Sequence, residues 1–499
     1  MIPYKTILSI NRKTNQPIYI QLTNQFIKLI KQKTLPSKTR LPGSRVLAEQ
    51  LGVHRKTIVA CYEDLTIQGW TLSIPQKGTY VNGNIPELKQ TKLSDTTEKN
   101  KKTTAGFRFK KEVILTRNFP DQTHDQDIYI NDGISDPRLT PIKEIATLYR
   151  NICGKRAALD QISYGTTYGN LELRETLVSY LNETRGLNIS TKNIMITRGS
   201  QMGMFLAAQL LFEKDESIII GETNYSSSDT TFEFSGAKTL RIPVDKHGLV
   251  TDKIEALCKK HNVKALYTTS HHHHPTTVTL SAERRMHLLN LSKTYNFAII
   301  EDDYDYDFHY ENAPILPLAS HDIHSNVIYV GSICKTVAPV YRVGYLIASE
   351  DFVDECAKLR RFIDRQGDAL LEATFAKFIK QGALDRHIKK TIRTYKARKE
   401  YFCALLKREL AAYLTFEIPT GGMALWVQLC KKYSWENVSA IAKTQNVIFS
   451  ELKRYDPQNI GHNSIRIGFA AYDFAEMDEL VSRLKTTFTI IENTKTLSK

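Results

Sequence analysis

The chain has 499 residues, of which 41% are hydrophobic and 24% charged, so it is an ordinary globular sequence that is too long for one core. It contains no run of eighteen apolar residues and no signal-peptide core at its start, so we expect a cytoplasmic protein without a membrane span. Its 7 cysteines are scattered without a CxxC pair, which indicates neither a disulfide framework nor a zinc ribbon.

The net charge of +15 is concentrated at the front of the chain. Residues 1–80 hold 12 Lys and Arg against 3 Asp and Glu, and residues 81–118 hold 9 against 4, which leaves the rest almost neutral. A basic front module indicates a polyanionic partner. A merely solvated basic face would give the same count, so charge alone does not decide.

Residues 1–83 show the element order of a winged helix-turn-helix. Apolar residues recur at helical spacing over 19–29 and again over 58–65. Between them, SRVLAEQLG predicts a short helix with Ser44 as its N-cap and Gly52 at its end. The stretch TLSIPQKGTYV then predicts two short strands around a tight turn.

In such a module the second helix of the helix-turn-helix lies in the major groove, and its first residues meet base edges. Residues 55–57 open that helix here, residues 40–45 are placed to hold phosphate, and residues 77–78 form the wing tip. A basic module that binds protein is the alternative. The predicted DNA contacts are Arg40, Ser44, Arg45, Arg55, Lys56, Thr57, Lys77 and Gly78.

The run PIYIQL…RLPGSRVLAEQLGVHRKTIVACYEDLTIQGW…QKGTYV resembles the winged helix-turn-helix of GntR-type bacterial repressors over residues 17–81. The resemblance implies binding to a double-stranded DNA operator. His54 and Gly43 stand where serine is usual in that family. Both lie at the DNA-facing edge, so the operator sequence of a relative does not carry over.

Residues 84–119 read as a flexible linker, because ELKQTKLSDTTEKNKKTTAG is polar and has few large apolar side chains. Behind it, the short apolar runs NIMIT, SIIIG, KALYTT, FAIIE and NVIYVG alternate with helical segments. This alternation predicts an α/β domain over 120–350 with a mostly parallel sheet covered by helices on both faces. Residues 351–499 predict a smaller α+β lobe.

Three chain segments in the α/β domain have the residue types that a pyridoxal phosphate site needs. Lys335 supplies an amine, and Asp302 follows a buried strand, where a carboxylate is expensive unless a cation such as a pyridinium pairs with it. Tyr304 is placed to reach the ring hydroxyl and Tyr225 to stack on the ring. Taken singly, each has an ordinary alternative, such as a turn-forming aspartate or a solvated lysine.

A phosphate would bind where a strand meets the start of an apolar helix, in TRGSQMGMFLAAQLL. The helix N-terminus offers free N–H groups and a positive dipole end. The residues predicted to hold the phosphate are Gly199, Ser200, Gln201, Ser332 and Arg342.

The motifs NDGISDPRLTP, YGTTYGNLELRETLVSYL, TRGSQMG, HHHHPTTVTLSAERR, IIEDDYDYDFHYE, YVGSICKTVAPVYRVGY and SIRIGFA occur in this order between about 129 and 472. Together they resemble the aminotransferase-like domain of MocR-type regulators, which fuse a GntR-type repressor to a fold-type I pyridoxal phosphate domain. The resemblance implies an internal aldimine at Lys335 and a carboxylate-binding role for Arg466. Three features depart from the family: Cys334, the pair His273-His274, and Thr277.

The histidines at 271–274 invite a metal interpretation, but consecutive residues of an extended loop point to alternate sides, so we expect no metal site there. Three hypotheses for the whole chain remain. One is a regulator that senses pyridoxal phosphate, or an amino acid or amine joined to it, as a head-to-tail homodimer controlling vitamin B6 or amino-acid metabolism genes. The second is an active aminotransferase with an accessory DNA-binding domain, and the third is a vestigial dimerisation scaffold.

Overall fold

The computed structural model describes residues 2–85, 126–156, 158–311, 315–333 and 335–497, and the chain divides into two compact units, Met1–Lys110 and Lys111–Lys499. Most of the predicted linker and Cys334 lie outside the described residues. Within these ranges, no helix is long and apolar enough to cross a bilayer.

The first unit is a helical bundle with a hairpin. Its elements are α1 (Tyr4–Ile7), α2 (Ile18–Lys31), α3 (Ser44–Leu51), α4 (Arg55–Ile67), β1 (Thr71–Ile74) and β2 (Gly78–Val81). Leu22 and Phe26 of α2 are fully buried together with Ile58 and Leu65 of α4, which makes these two helices the core of the unit. The predicted winged helix-turn-helix is therefore confirmed.

The start of α3 differs from the prediction. Gly43 occupies the N-cap position and makes no side-chain capping bond, while Ser44 is the first helical residue. The Ser44 hydroxyl instead accepts a hydrogen bond from Arg55 Nε at 3.4 Å, so it is not a cap. The helix ends as predicted at Gly52, whose φ of +61° is the left-handed conformation that glycine adopts without strain.

The second unit combines a large sheet with many helices. Its helices are α5 (Ile142–Cys153), α6 (Ala158–Gln161), α7 (Leu171–Arg185), α8 (Ser200–Leu211), α9 (Ser226–Phe234), α10 (Ile254–Cys258), α11 (Ala282–Tyr295), α12 (Glu350–Arg360), α13 (Ala369–Lys380), α14 (Ala383–Leu410), α15 (Trp435–Ala442) and α16 (Phe474–Leu497). Its strands are β3 (Ile128–Tyr129), β4 (Ile194–Thr197), β5 (Ser217–Gly221), β6 (Lys238–Ile242), β7 (Val244–Asp245), β8 (Gly248–Leu249), β9 (Val263–Thr268), β10 (Ala298–Asp303), β11 (Val327–Ser332), β12 (Gly344–Ile347), β13 (Leu414–Phe416), β14 (Ala424–Leu429), β15 (Val447–Ile448) and β16 (Ser464–Gly468).

In the part of the chain that the structure describes, seven strands form the large sheet in the order β4-β12-β11-β10-β9-β5-β6. The five predicted apolar runs form β4, β5, β9, β10 and β11, and the sheet is parallel from β11 through β6. Strand β12 runs antiparallel to both of its neighbours. The carboxyl ends of β9, β10 and β11 therefore meet at one edge, where ligands bind in open α/β sheets.

A second sheet is antiparallel in the order β13-β14-β16. Helices α14, α15 and α16 share one apolar core with it, which includes Leu425, Val427, Ile465 and Leu480. Strand β3 pairs in parallel with β15, so the chain that follows Tyr129 lies beside the chain that follows Ile448. The fold class predicted from the sequence is confirmed.

Candidate functional site

Lys335 follows strand β11 and extends into the edge of the sheet. Its Nζ donates a hydrogen bond to the Gly133 carbonyl at 3.2 Å and lies 5.6 Å from the centre of the Tyr304 ring. Burial lowers the pKa of the Lys335 amine, an effect that the nearby Asp132 carboxylate opposes. A lowered pKa increases the neutral fraction of the amine, which is the form that attacks an aldehyde.

Asp302 lies near the end of β10 and is almost fully buried. Its Oδ2 accepts a hydrogen bond from the Tyr267 hydroxyl at 3.0 Å, whereas Oδ1 has no hydrogen-bond partner among the described residues. Burial raises the pKa of Asp302 to about 7 despite the bond from Tyr267. A buried carboxyl with one free oxygen is suited to a cationic N–H group, which would supply both the missing bond and the opposite charge.

Gly199 precedes helix α8, with a φ of +78°. A Cβ at this position would lie 2.6 Å from Arg342 Nη2, so a larger residue would force that guanidinium to move, and the positive φ would also strain it. Arg342 is exposed and donates to the Arg198 carbonyl at 2.7 Å. Ser200 is the first residue of α8, whose unpaired N–H groups and positive dipole end suit a phosphate.

Two further residues of the predicted phosphate site make bonds within the protein. Gln201 donates from its amide to the Thr231 hydroxyl at 2.6 Å, which ties α8 to α9. Ser332 donates from its hydroxyl to the Val343 carbonyl at 3.5 Å.

The two tyrosines predicted to contact the cofactor ring differ in burial and in hydrogen bonding. Tyr225 precedes helix α9 and is half-buried, with its ring 5.0 Å from the His274 ring in an edge-on arrangement. Tyr304 is buried, and its hydroxyl donates to the His272 carbonyl at 2.8 Å and accepts from Arg466 Nη2 at 3.1 Å. Tyr304 therefore also positions the guanidinium of Arg466.

A cavity of about 520 Å³ collects part of the predicted site. Lys335, Asp302, Ser200, Tyr225 and Tyr304 line it, which places the amine, the carboxyl and the start of α8 around one space. The remaining predicted cofactor and carboxylate residues do not contribute to its described lining; these are Gly199, Gln201, Ser332, Arg342 and Arg466. Their roles stay predictions.

Asp132 is a site residue that the sequence reasoning missed. Its carboxylate accepts hydrogen bonds from His274 Nε2 at 2.9 Å and from the Tyr455 hydroxyl at 3.0 Å. Burial alone would raise the pKa of Asp132, but the bond from His274 and the guanidiniums of Arg454 and Arg466 lower it below the usual range. Asp132 therefore stays ionised in the cavity wall.

His274 and Arg454 were missed as well. Burial lowers the pKa of His274, and because its Nε2 donates to Asp132, its Nδ1 is left as an acceptor without a partner in the described chain. Arg454 lines the same cavity from the 3₁₀ helix Leu452–Tyr455. Asp132 lies in the motif NDG and His274 in the histidine run, so the sequence could have indicated both. No local motif indicates Arg454, which is brought to the cavity by the pairing of β3 with β15.

The consecutive histidines point in different directions. His272 Nδ1 lies 2.8 Å from Asp305, His273 Nδ1 lies 2.9 Å from the Thr276 hydroxyl, and His274 contacts Asp132. No group of three or more His, Cys, Asp or Glu side chains within the described ranges is arranged to hold a metal ion.

The predicted DNA-facing residues of the first unit lie on two neighbouring surfaces. Arg55 and Lys56 are exposed at the start of α4, where the His54 ring caps the helix by accepting from the Lys56 amide at 3.2 Å. The contact between Arg55 and Ser44 joins the starts of α3 and α4. Thr57 is half-buried and Arg45 is exposed.

The second surface is the wing. Lys77 and Gly78 are exposed at the turn between β1 and β2. Gly78 has a φ of +113°, and a Cβ on it would lie 3.3 Å from Arg40 Nε. Arg40 forms a backbone bridge with Tyr80 of β2, so its exposed guanidinium lies beside the wing turn.

Comparisons with known protein families find two separate matches along the chain. Residues 135–484 match the family described as aminotransferase class I and II, and residues 18–81 match the bacterial regulatory proteins of the gntR family. The probable rhizopine catabolism regulatory protein MocR of Rhizobium meliloti is 24% identical over 493 residues, covering 98% of both chains. The HTH-type transcriptional regulator TauR of Rhodobacter capsulatus is 26% identical and covers 89% of this chain and 91% of its own.

Two solved structures that are similar to this chain are aminotransferases. The kynurenine aminotransferase of Pyrococcus horikoshii is 25% identical with a TM-score of 0.68, covering 73% of this chain and 91% of its own. The multiple substrate aminotransferase of Thermococcus profundus is 26% identical with a TM-score of 0.69, covering 74% and 93%.

Proposed function

This chain belongs to the aminotransferase class I and II family and has a gntR-family DNA-binding domain at its front, the combination found in MocR-type regulators; from this premise we propose that pyridoxal phosphate, held through Lys335, controls its binding to operator DNA. The observation that carries the proposal is that Lys335 and Asp302 line one cavity, with a free carboxyl oxygen on Asp302.

The residues present fit pyridoxal phosphate. Lys335 offers an amine of lowered pKa for the aldehyde carbon, and Asp302 offers its free oxygen to the protonated pyridine nitrogen. The start of α8 offers N–H groups to the phosphate, and Tyr225 offers an aromatic face to the ring. When bound, the cofactor supplies an electrophilic carbon and a planar electron sink; the protein supplies the orientation and the charges around it.

Within this proposal the protein is a cytoplasmic, nucleoid-associated homodimer. The head-to-tail arrangement comes from the family resemblance, and it would present two DNA-reading units to two half-sites. Exposed apolar side chains on the second unit support association: Phe362 is 88% exposed and Tyr164 is 79% exposed, and Arg365 lies over the Tyr164 ring at 4.3 Å. Genes of vitamin B6 or amino-acid metabolism are the proposed targets.

The proposal is tested by locating the cofactor on the chain. Full-length protein mixed with pyridoxal phosphate should show an absorbance band near ~420 nm. Borohydride reduction followed by peptide mapping should place the label on Lys335, and Lys335→Ala should lose both signals. A protein without the band, or a label spread over surface lysines such as Lys246, would overturn the cofactor assignment.

An active aminotransferase remains the second candidate, because the similar solved structures are aminotransferases and Lys335 and Asp302 are both present. Amino-group transfer from an amino acid to a keto acid over many turnovers, at rates of about one per second or faster, would favour it. We expect no more than slow half-reactions.

A further inference from the structure

We propose that the first unit recognises a thymine in its operator by packing Val59 and Ala60 against the 5-methyl group of that base. The inference rests on the operator binding of the proposed function, but not on its control by pyridoxal phosphate. It adds one base of the operator and the two residues that distinguish this base from the others.

Helix α4 has a buried face and an accessible face. Four residues of the buried face pack into the core of the first unit: Ile58, Cys61, Tyr62 and Leu65. The accessible face forms a shallow hollow of about 430 Å³, which we call the α4 hollow and which is lined by Arg55, Lys56, Val59, Ala60 and Glu63. Thr57, a predicted DNA contact, does not contribute to the described lining of this hollow. The accessible face is therefore cationic at its start and apolar one turn later.

Arg55 lies at the start of the α4 hollow. Its Nε donates to the Ser44 hydroxyl at 3.4 Å, which holds the side chain beside the start of α3. The two Nη groups of a guanidinium held in this way are those that pair with guanine, the commonest specific contact of arginine in the major groove. Arg55 therefore relates the position of the whole helix to one guanine.

Val59 and Ala60 follow one turn later, and both are half-buried. Their side chains carry no hydrogen-bond donor or acceptor. A polar base edge packed against them would lose its hydrogen bonds to water without gaining others, which is unfavourable. Thymine is the base that carries a methyl group on its major-groove edge, so this part of the α4 hollow favours thymine.

The spacing of the helix predicts where this thymine lies. Val59 is four residues after Arg55, and side chains at this spacing on a helix are about 5–6 Å apart. Neighbouring bases of one strand are about 3.4 Å apart along the duplex. We therefore expect the thymine within two base pairs of the guanine that Arg55 contacts.

Glu63 indicates that the α4 hollow meets bases rather than phosphates. This residue is exposed and lines the hollow one turn beyond Val59. Its carboxylate would repel a phosphate group, whereas it can accept a hydrogen bond from the amino group of cytosine. Cations that suit the phosphate backbone lie outside the hollow, such as the exposed residues Arg45 and Lys77.

The experiment removes the methyl group from the DNA. Full-length protein selects a duplex from a random pool, and its affinity for that duplex is measured by fluorescence anisotropy. Each thymidine of the selected half-site is then replaced in turn by deoxyuridine, which lacks only the 5-methyl group. At one thymine within two base pairs of a guanine, this replacement should weaken wild type about fourfold, the contribution of one buried methyl group.

Two variants identify the protein side of the contact. The double variant Val59→Ser with Ala60→Ser should bind the thymidine and deoxyuridine duplexes with affinities within about 1.5-fold of each other, because the partner of the methyl group is gone. Ile67→Ser is the matched control and should keep the fourfold difference. Ile67 is 85% exposed on the same helix but does not line the α4 hollow. Neither variant changes a charge, so circular dichroism and the affinity for random DNA should match wild type in both.

Four results would overturn the inference. The first is a selected pool without an enriched thymine near a guanine, and the second is a wild type that no deoxyuridine replacement weakens. Neither of these depends on the folding of a variant. The third is a fourfold difference that persists in the double variant, and the fourth is loss of that difference in Ile67→Ser. An operator affinity that ignores pyridoxal phosphate would instead refute the proposed function and leave this test unchanged.

Discussion

Replacing Asp302 by asparagine should stabilise the cofactor-free protein at alkaline pH. Burial raises the pKa of Asp302 from 3.8 to about 7, a shift of about 3 units. At about 1.36 kcal/mol for each unit, ionising this carboxyl in the folded state costs up to about 4 kcal/mol. Asparagine keeps a carbonyl oxygen for the Tyr267 hydroxyl and removes the charge.

The direction in which the free energy of unfolding changes with pH depends on whether the folded or the unfolded state holds the proton on Asp302. Between pH 3.8 and about 7 the folded protein keeps a proton on Asp302 that the unfolded chain has released. The stability contributed by this group is therefore present below the unfolded pKa and lost as the pH rises through the folded pKa. Asp302→Asn and wild type should coincide near pH ~4 and differ by up to about 4 kcal/mol near pH ~8.

Urea unfolding at a series of pH values measures this difference. A Trp70→Phe background leaves Trp426 and Trp435 as the fluorescent reporters, and both belong to the second unit. Asp252→Asn is the matched control, because the Asp252 side chain is 86% exposed. Parallel pH profiles for Asp302→Asn and wild type, or a wild type that is more stable near pH ~8, would refute the reasoning.

Three further predictions concern the cofactor and the DNA. Asp302→Asn should weaken pyridoxal phosphate binding at least about tenfold in an absorbance titration, because an amide cannot pair with a pyridinium charge; equal affinity would contradict the assignment. Gly199→Ala should weaken it by a similar factor, because its Cβ would lie 2.6 Å from Arg342 Nη2, and a tight-binding variant would show that this approach is not needed. Arg55→Ala should weaken operator binding by about 1–3 kcal/mol in fluorescence anisotropy if it reads a base, whereas an equal loss on random DNA would mean that it contacts phosphate only.

The sequence predicted the parts of the fold that local patterns encode. The five apolar strands could be predicted because each is short, β-rich and flanked by helical segments. The antiparallel direction of β12 and the pairing of β3 with β15 could not, because both depend on contacts between distant parts of the chain. The wrong N-cap at Ser44 arose because a serine before an apolar run fits the capping pattern whether or not its side chain caps.

The residues of the candidate site also differ in whether the local sequence predicts them. Lys335 and Asp302 could be predicted because Asp302 lies near the end of β10 and Lys335 follows β11. These strand ends place both backbones at the same edge of the sheet. Asp132 follows β3 and Arg454 follows β15. Their proximity depends on the pairing of these two short strands, which no local sequence pattern indicates. The engagement of the Arg466 and Tyr304 side chains with each other is likewise a tertiary contact with no local signal.

The central claim is that pyridoxal phosphate bound at Lys335 changes the affinity of the first unit for operator DNA. The direct test measures the affinity of full-length protein for a duplex that it has itself selected from a random pool, with and without pyridoxal phosphate, for wild type and Lys335→Ala. The account predicts an affinity that changes at least about threefold with the cofactor in wild type and stays constant in Lys335→Ala. An affinity that does not change in either protein would contradict it.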